Sequence, residues 1–338
     1  MNASPLTLSL SRPQIPSFFA DPVIISSVSK HPFPQNLILS HKTRQSPNLY
    51  NSAKYQKQNA PAPNEEVRTQ EDGIPIEDVK ILVKFKSRHN FIRVLEVSRR
   101  ADHPFAGSRL LLLDGPGNIH SINFHFKLLT NTYFDVFATL PPILPPGPIG
   151  ILGFGAGSSA KLLLELYPNL IIHGWEIDPS VISVGREYFE LGKIETLHQH
   201  RLFVHIGDAF KANLKDGFAG ILVDLFSKGS VVSQLQDPNV WERLKCGLRK
   251  GGRIMVNVGG SCVEAEDKWR DGKTVMDETL KAMRVVFGDE VHVLNLGNRK
   301  DDSSVAVTGP LPDRAAWKKA LPRSLKHFVD MWVPYYTS

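Results

Sequence analysis

The sequence predicts an α/β fold: a doubly wound, mostly parallel sheet over residues 145–310, preceded by a small N-terminal β-hairpin domain over residues 79–140. Three observations point there. From residue 147 onward, strand, glycine loop, helix and strand recur, which is the pattern of a parallel sheet covered by helices. Before that, strand-like runs at 79–85, 91–97 and 109–113 lead to Asp114-Gly115-Pro116-Gly117-Asn118, a strong turn signal ahead of a further run at 119–124. Finally, an acid follows closely on each of three strands of the repeating part: Glu176, Asp208 and Asp224.

Taken in order, the chain opens on a segment of different character. Residues 1–64 are rich in Ser, Pro and Asn and hold six Lys/Arg (Arg12, Lys30, Lys42, Arg44, Lys54, Lys57) against one acid, Asp21. This basic, hydroxylated, acid-poor composition is that of an organelle transit peptide, and the scarcity of Arg favours the chloroplast stroma over the mitochondrion. A disordered cytosolic tail is the alternative. The formal net charge is +6, of which this segment alone supplies +5, so nucleic acid is not implied as a partner. An acidic linker at 65–78 (Glu65, Glu66, Glu71, Asp72) joins it to the hairpin unit, which is too small to be more than an accessory domain.

In the α/β part, residues 149–152 read as a buried strand, 158–167 as a helix with an apolar face and 170–175 as the next strand. Asp178-Pro179-Ser180 opens a helix running to about residue 191, with proline in the first turn where a missing N–H is harmless. Strands follow at 202–206 and 220–223. A helix at 241–248, the Lys250-Gly251-Gly252 turn and a strand at 253–258 repeat the theme. A helix at 277–287 and strands at 291–296 and 304–308 finish the domain, with the last two suited to antiparallel pairing at the sheet's end. Residues 311–338 read as a helical tail ending in Trp332-Val333-Pro334-Tyr335-Tyr336.

Several function classes are excluded. No stretch reaches the roughly 18 uninterrupted apolar residues of a membrane-spanning helix, since the longest candidate, 140–157, is broken by prolines and glycines. Two cysteines, Cys246 and Cys262, make neither a disulfide framework nor metal-ligand spacing, so no metal is expected.

The candidate site is a nucleotide cleft. Gly153-Phe154-Gly155-Ala156-Gly157-Ser158 lies between a strand and a helix, where glycines let the backbone approach a ligand and helix-terminal N–H groups face it. Glu176 ends the next strand, followed by Ile177, where a carboxylate can accept both hydroxyls of an adenosine ribose. In Gly207-Asp208-Ala209, the carboxylate can accept from an adenine amino group while the neighbouring backbone N–H reads a ring nitrogen. Asp224 closes the fourth strand beside the same cleft. Gly155 to Ala160 also match the G-x-G-x-x-A fingerprint of a nicotinamide cofactor, but no hydride-transfer acid accompanies it.

Residues 149–226 resemble the spermidine synthase family, within the Rossmann-like methyltransferase fold. The matching residues are Ile151-Leu152-Gly153-Phe154-Gly155-Ala156-Gly157, Trp175-Glu176-Ile177-Asp178, His205-Ile206-Gly207-Asp208-Ala209-Phe210 and Ile221-Leu222-Val223-Asp224. Upstream, Leu112-Leu113-Asp114-Gly115 and Tyr133-Phe134-Asp135-Val136 with Leu140-Pro141 resemble that family's hairpin domain and its Tyr-Gln-Glu-Met segment. The resemblance implies S-adenosylmethionine, or its decarboxylated form, as ligand of Glu176 and Asp208-Ala209, and a homodimer formed through the hairpin domain.

It also exposes departures. Ala156 stands where the family grips the aminopropyl ammonium with an Asp, Ser227 where its catalytic Asp deprotonates the attacking amine, and Phe134 where a Gln holds the nucleotide. Neutral serine cannot take that proton near pH 7. Asp224, Asp135 and Tyr133 are the candidates to act instead, and Lys228 and Ser230 read as solvated loop residues. The expected function is therefore a methyltransferase-like protein with an unknown small-molecule acceptor. The alternatives are a polyamine aminopropyltransferase with a rearranged base and an inactive binding relative.

Overall fold

The computed structural model describes residues 74–114, 119–260, 270–297 and 303–336. The segment read as a transit peptide, most of the linker and the centre of the 114–118 turn lie outside these residues.

Four antiparallel strands form the first sheet, in the order β1 (Val79–Lys86), β2 (Phe91–Val97), β3 (Ser108–Leu113) and β4 (Ile119–Phe124). Their register is regular except at two points, at Leu82 on β1 and at His120 on β4. Leu111 stands opposite Ser121 and Leu112 opposite Ile119, so His120 is the extra residue of a β-bulge. The short helix α1 (Tyr133–Phe137) then starts at Thr132, whose side chain accepts from the Phe134 amide.

The second sheet has eight strands. Its parallel part comprises β5 (Ile149–Leu152), β6 (Ile172–Glu176), β7 (Leu202–Ile206), β8 (Phe218–Val223) and β11 (Leu248–Gly260). Its antiparallel part comprises β12 (Val291–Asn295), β13 (Ser303–Thr308) and β14 (Val333–Pro334), in the overall order β14-β12-β13-β11-β8-β5-β6-β7. The pairing of β12 with β13 agrees with expectation. That β13 reaches β11, inserting between it and β12, is a feature that no local pattern announces. Strand order reverses between β5 and β8, the switch point at which ligands of open α/β sheets bind.

Helices cover both faces because the strands alternate. Ile149, Ile151, Leu222 and Met255 face one core with α2 (Ser158–Leu166) and the carboxyl-terminal α7 (Arg314–Ala320). Leu152, Ile221, Val223, Ile254 and Val256 face the other, against α5 (Pro238–Cys246) and α6 (Gly272–Phe287).

The helix expected from Asp178 to about residue 191 is two helices, α3 (Pro179–Tyr188) and α4 (Leu191–Leu197). They are broken at Glu190, whose φ of 64° is left-handed. The helix expected at 241–248 begins earlier, at Pro238, where Asp237 caps the Asn239 amide, and gives way to β11 at Leu248. A two-residue ribbon, β9 (Phe226–Ser227) with β10 (Ser230–Val231), turns at Lys228 and Gly229, both with positive φ.

The two sheets are stitched together around the glycine loop. Ser158 Oγ accepts from the Ile122 amide and donates to the Ile122 carbonyl, at 2.8 and 2.9 Å. Asp178, fully buried, caps α3 through Ser180 and also accepts from Ser87 and Asn90 at the β1–β2 turn.

Candidate functional site

The loop after β5 can be built only with glycine at its first position. Gly153 has φ of 84°, and a Cβ there would lie 2.0 Å from the Asp224 carbonyl oxygen. This close approach brings the end of β8 against the end of β5. Gly155, at φ 57°, is equally constrained, since its Cβ would fall 2.7 Å from Ser121 Oγ on β4.

Glu176 is 8% exposed, so it is not a solvated cap. Its Oε2 accepts from the Gly155 amide at 2.9 Å and its Oε1 from the Asp178 amide at 3.1 Å. Burial raises its carboxyl above the ordinary range, against the pull of these amides. The Ile177 amide also faces this carboxylate, which leaves a lone pair for a hydroxyl donor. Asp208 lies two residues past the neighbouring strand: Ile206 pairs with Glu176, and the Gly207 amide donates to the Glu176 carbonyl at 2.8 Å. Its side chain is exposed and turns back on the Phe210 amide at 3.0 Å. Around these two acids lie Ile177 and Ile206, 51% and 56% exposed, which present open apolar surface.

Asp224 forms the second centre. Its Oδ2 accepts from Tyr133 Oη at 2.8 Å and its Oδ1 from Asn257 Nδ2 at 3.0 Å. Burial pushes this carboxyl up to about 6, the two hydrogen bonds oppose the rise and the charge of Glu176 adds to it. Glu176 and Asp224 are therefore near enough to interact, with Tyr133 of α1 reaching across to the end of β8.

Asp135 has a different task. Its oxygens accept from the Thr130 amide and hydroxyl and the Asn131 amide, all within 2.9 Å, so it clamps the turn before α1. Ser158, expected among the ligand contacts, spends its hydroxyl on β4. Ser230, read as a solvated loop residue, is 3% exposed because β10 tucks it inward; Lys228 is exposed at the ribbon's turn. Ser227 is exposed beside it. Gly157 and Ala209 are buried backbone of the loop and of the turn after β7. Phe134 is core, 3% exposed. His205 Nε2 pairs with His173 Nδ1 at 3.1 Å and its ring stacks on Trp175, which suits a structural rather than a shuttling role.

One residue of the site was missed. Asn257 sits near the carboxyl end of the next parallel strand, β11, so the switch-point rule applied one strand further would have found it. Among the described residues no group of three or more His, Cys, Asp or Glu is arranged to hold a metal.

No family model matches the chain. A Bifidobacterium longum protein named as a probable polyamine aminopropyl transferase is 24% identical over 220 residues, 64% of this chain. The match spans 44% of that relative, less than half its length. Among solved structures, a spermidine synthase in complex with the transition-state analogue AdoDATO superposes with TM-score 0.52 at 16% identity, covering 74% of this chain and 78% of that one. The Thermotoga maritima spermidine synthase gives 0.53 at 14% identity, covering 74% and 88%. The chain is thus similar in fold to solved spermidine synthases and in sequence to a protein named as a probable polyamine aminopropyl transferase.

Proposed function

We propose that the chain binds the adenosyl group of S-adenosylmethionine, or of its decarboxylated form, and transfers an alkyl group from the sulfonium to a small acceptor. The observation that carries this is Glu176, held by the tip of the glycine loop with a lone pair to spare, beside Asp208 just past the next strand. A ribose would hydrogen-bond to the former and an adenine edge to the latter, its faces against Ile177 and Ile206. No metal enters the reading.

Methyl transfer is the form favoured here. Ala156 places no carboxylate against a donor that keeps its own, and Ser227 removes the base that a charged diamine needs. Methyl transfer needs alignment more than a strong base when the acceptor is already nucleophilic. The name of the curated relative favours aminopropyl transfer as the second reading. The acceptor is a small molecule. We place the protein in the plastid stroma on the composition of residues 1–64, and as a homodimer through the β1–β4 sheet; an import assay and sedimentation of the mature form test these.

The central test is calorimetry with S-adenosylhomocysteine and methylthioadenosine. Glu176→Ala should weaken binding by roughly tenfold to a hundredfold, the worth of hydrogen bonds to a charged group, and Asp208→Ala by about tenfold. An unchanged affinity in both variants, or no heat with the wild-type chain, removes the reading.

A further inference from the structure

The turn between β1 and β2 carries two side chains that reach out of their own sheet. The turn closes on itself: the Ser87 amide donates to the Asn90 carbonyl at 2.8 Å, and the Asn90 amide donates to Ser87 Oγ at 2.9 Å. A turn tied by its own side chain holds its neighbours at fixed positions. Both side chains meet one carboxylate of the α/β domain. Ser87 Oγ and Asn90 Nδ2 each donate to Asp178 Oδ2, the latter at 2.7 Å, while Oδ1 accepts from the Ser180 amide at 2.9 Å.

Asp178 is 0% exposed and lies two residues past Glu176. Its amide is one of the donors that pin the Glu176 carboxylate, at Oε1, with the Gly155 amide at Oε2. The relay is therefore continuous, from the turn to the Asp178 carboxylate and from the Asp178 backbone to Glu176. Burial alone would favour the neutral acid at Asp178, and the donors from Ser87, Asn90 and Ser180 reverse this. Stripped of the two from the turn, the carboxylate keeps one amide, and residue 178 must shift to satisfy it, taking the Glu176 donor with it. Capping a helix does not require this much: Asp237 caps α5 with donors from Asn239 alone.

We propose that Ser87 and Asn90 are positioning residues for nucleotide binding: acting through Asp178, the hairpin sheet fixes the place at which Glu176 receives the ribose hydroxyls. This rests on the reading of Glu176 as the ribose acceptor. The hairpin sheet thereby joins the nucleotide site through a second carboxylate, and by linkage a bound nucleotide holds the β1–β2 turn down.

The test is calorimetry on the full chain with methylthioadenosine and with its 2′,3′-dideoxy analogue, which offers Glu176 no hydroxyl. Wild type should bind the analogue about tenfold more weakly. Ser87→Ala and Asn90→Ala should each weaken methylthioadenosine about fivefold, the worth of one hydrogen bond, and leave the analogue's affinity unchanged. Ser87→Thr, which keeps the hydroxyl, should bind as wild type does. Asp237→Ala, destabilised at a cap on another helix, should keep wild-type affinity for both compounds. In the wild-type chain, methylthioadenosine should slow hydrogen exchange at the Asn90 amide by the same factor of about five, and the analogue should not.

The proposal is overturned if the alanine variants lose as much affinity for the analogue as for methylthioadenosine, or if they lose none. It is equally overturned if Asp237→Ala loses affinity alongside them, if Ser87→Thr binds no better than Ser87→Ala, or if exchange at Asn90 ignores the nucleotide. A wild-type chain that binds neither compound, or binds both equally, strikes the reading of Glu176 itself, and the proposal with it, before any variant is compared.

Discussion

Asp224 carries the largest consequence at the scale of single residues. Unfolded, its carboxyl loses its proton near the ordinary value of 3.8, whereas folded it keeps the proton until about 6. Between those values the folded state binds more protons than the unfolded one, so this group's contribution to stability falls as pH rises through the window. Above it, the folded protein bears a cost on the order of 3 kcal/mol. Asn at this position keeps both contacts, its oxygen accepting from Asn257 and its amide donating to Tyr133. Asp224→Asn should therefore raise the melting temperature at pH 8 by several degrees and leave it nearly unchanged at pH 4. Equal melting curves at pH 8 would show that the carboxylate is not strained. Asp178 behaves oppositely. Burial alone would raise its carboxyl, but hydrogen bonds from Ser87, Asn90 and Ser180 outweigh this and hold it low. Its contribution is present above the ordinary carboxylate range and is lost as pH falls below it.

Among elements, the join between the β1–β2 turn and α3 is the most exposed to test, because one side chain makes it. Asp178→Ala removes the cap of α3 and both contacts to the hairpin turn. It should cost about 1–2 kcal/mol in urea unfolding, and more than Asp237→Ala, whose cap on α5 serves only its own helix. Equal losses would mean that the interdomain bonds contribute nothing. This join also shows what the sequence made legible. Asp178-Pro179-Ser180 announces a helix start because capping is local, but nothing nearby announces Ser87 and Asn90 as partners, since they lie about ninety residues away. The same divide runs through the site. The glycine loop, Glu176, Asp208 and Asp224 were legible because each follows a strand. The Tyr133–Asp224–Asn257 cluster and the clamp role of Asp135 were not, because both depend on tertiary contacts of α1. The break at Glu190 escaped notice because the apolar period continues across it.

For the whole molecule, the carboxyl-terminal tail is structural rather than appended. Trp317 is 2% exposed and its Nε1 donates to the Thr139 carbonyl, just after α1, at 2.9 Å. Trp332 stacks on it, and Tyr335 Oη donates to Asp277 of α6 at 2.6 Å. The tail thus grips the helix that carries Tyr133 to Asp224. Trp317→Phe keeps the packing but strands a buried carbonyl, so it should cost about 1–3 kcal/mol in urea unfolding. It should also move the pH at which Asp224 titrates, as followed by the Tyr133 ring resonances. A change in stability with no change in that titration would confine the tail to a packing role.

The final strand, β14, has a consequence of its own. It pairs with β12 through only two residues, one of them Pro334, which has no N–H to offer a newcomer. One border of the eight-stranded sheet is thus sealed by a short, proline-bearing strand, leaving β7 as the other margin at which a foreign strand could add. A chain cut back to Gly309 bares β12 as well, so it should scatter light on mild heating at temperatures where the full-length protein stays clear.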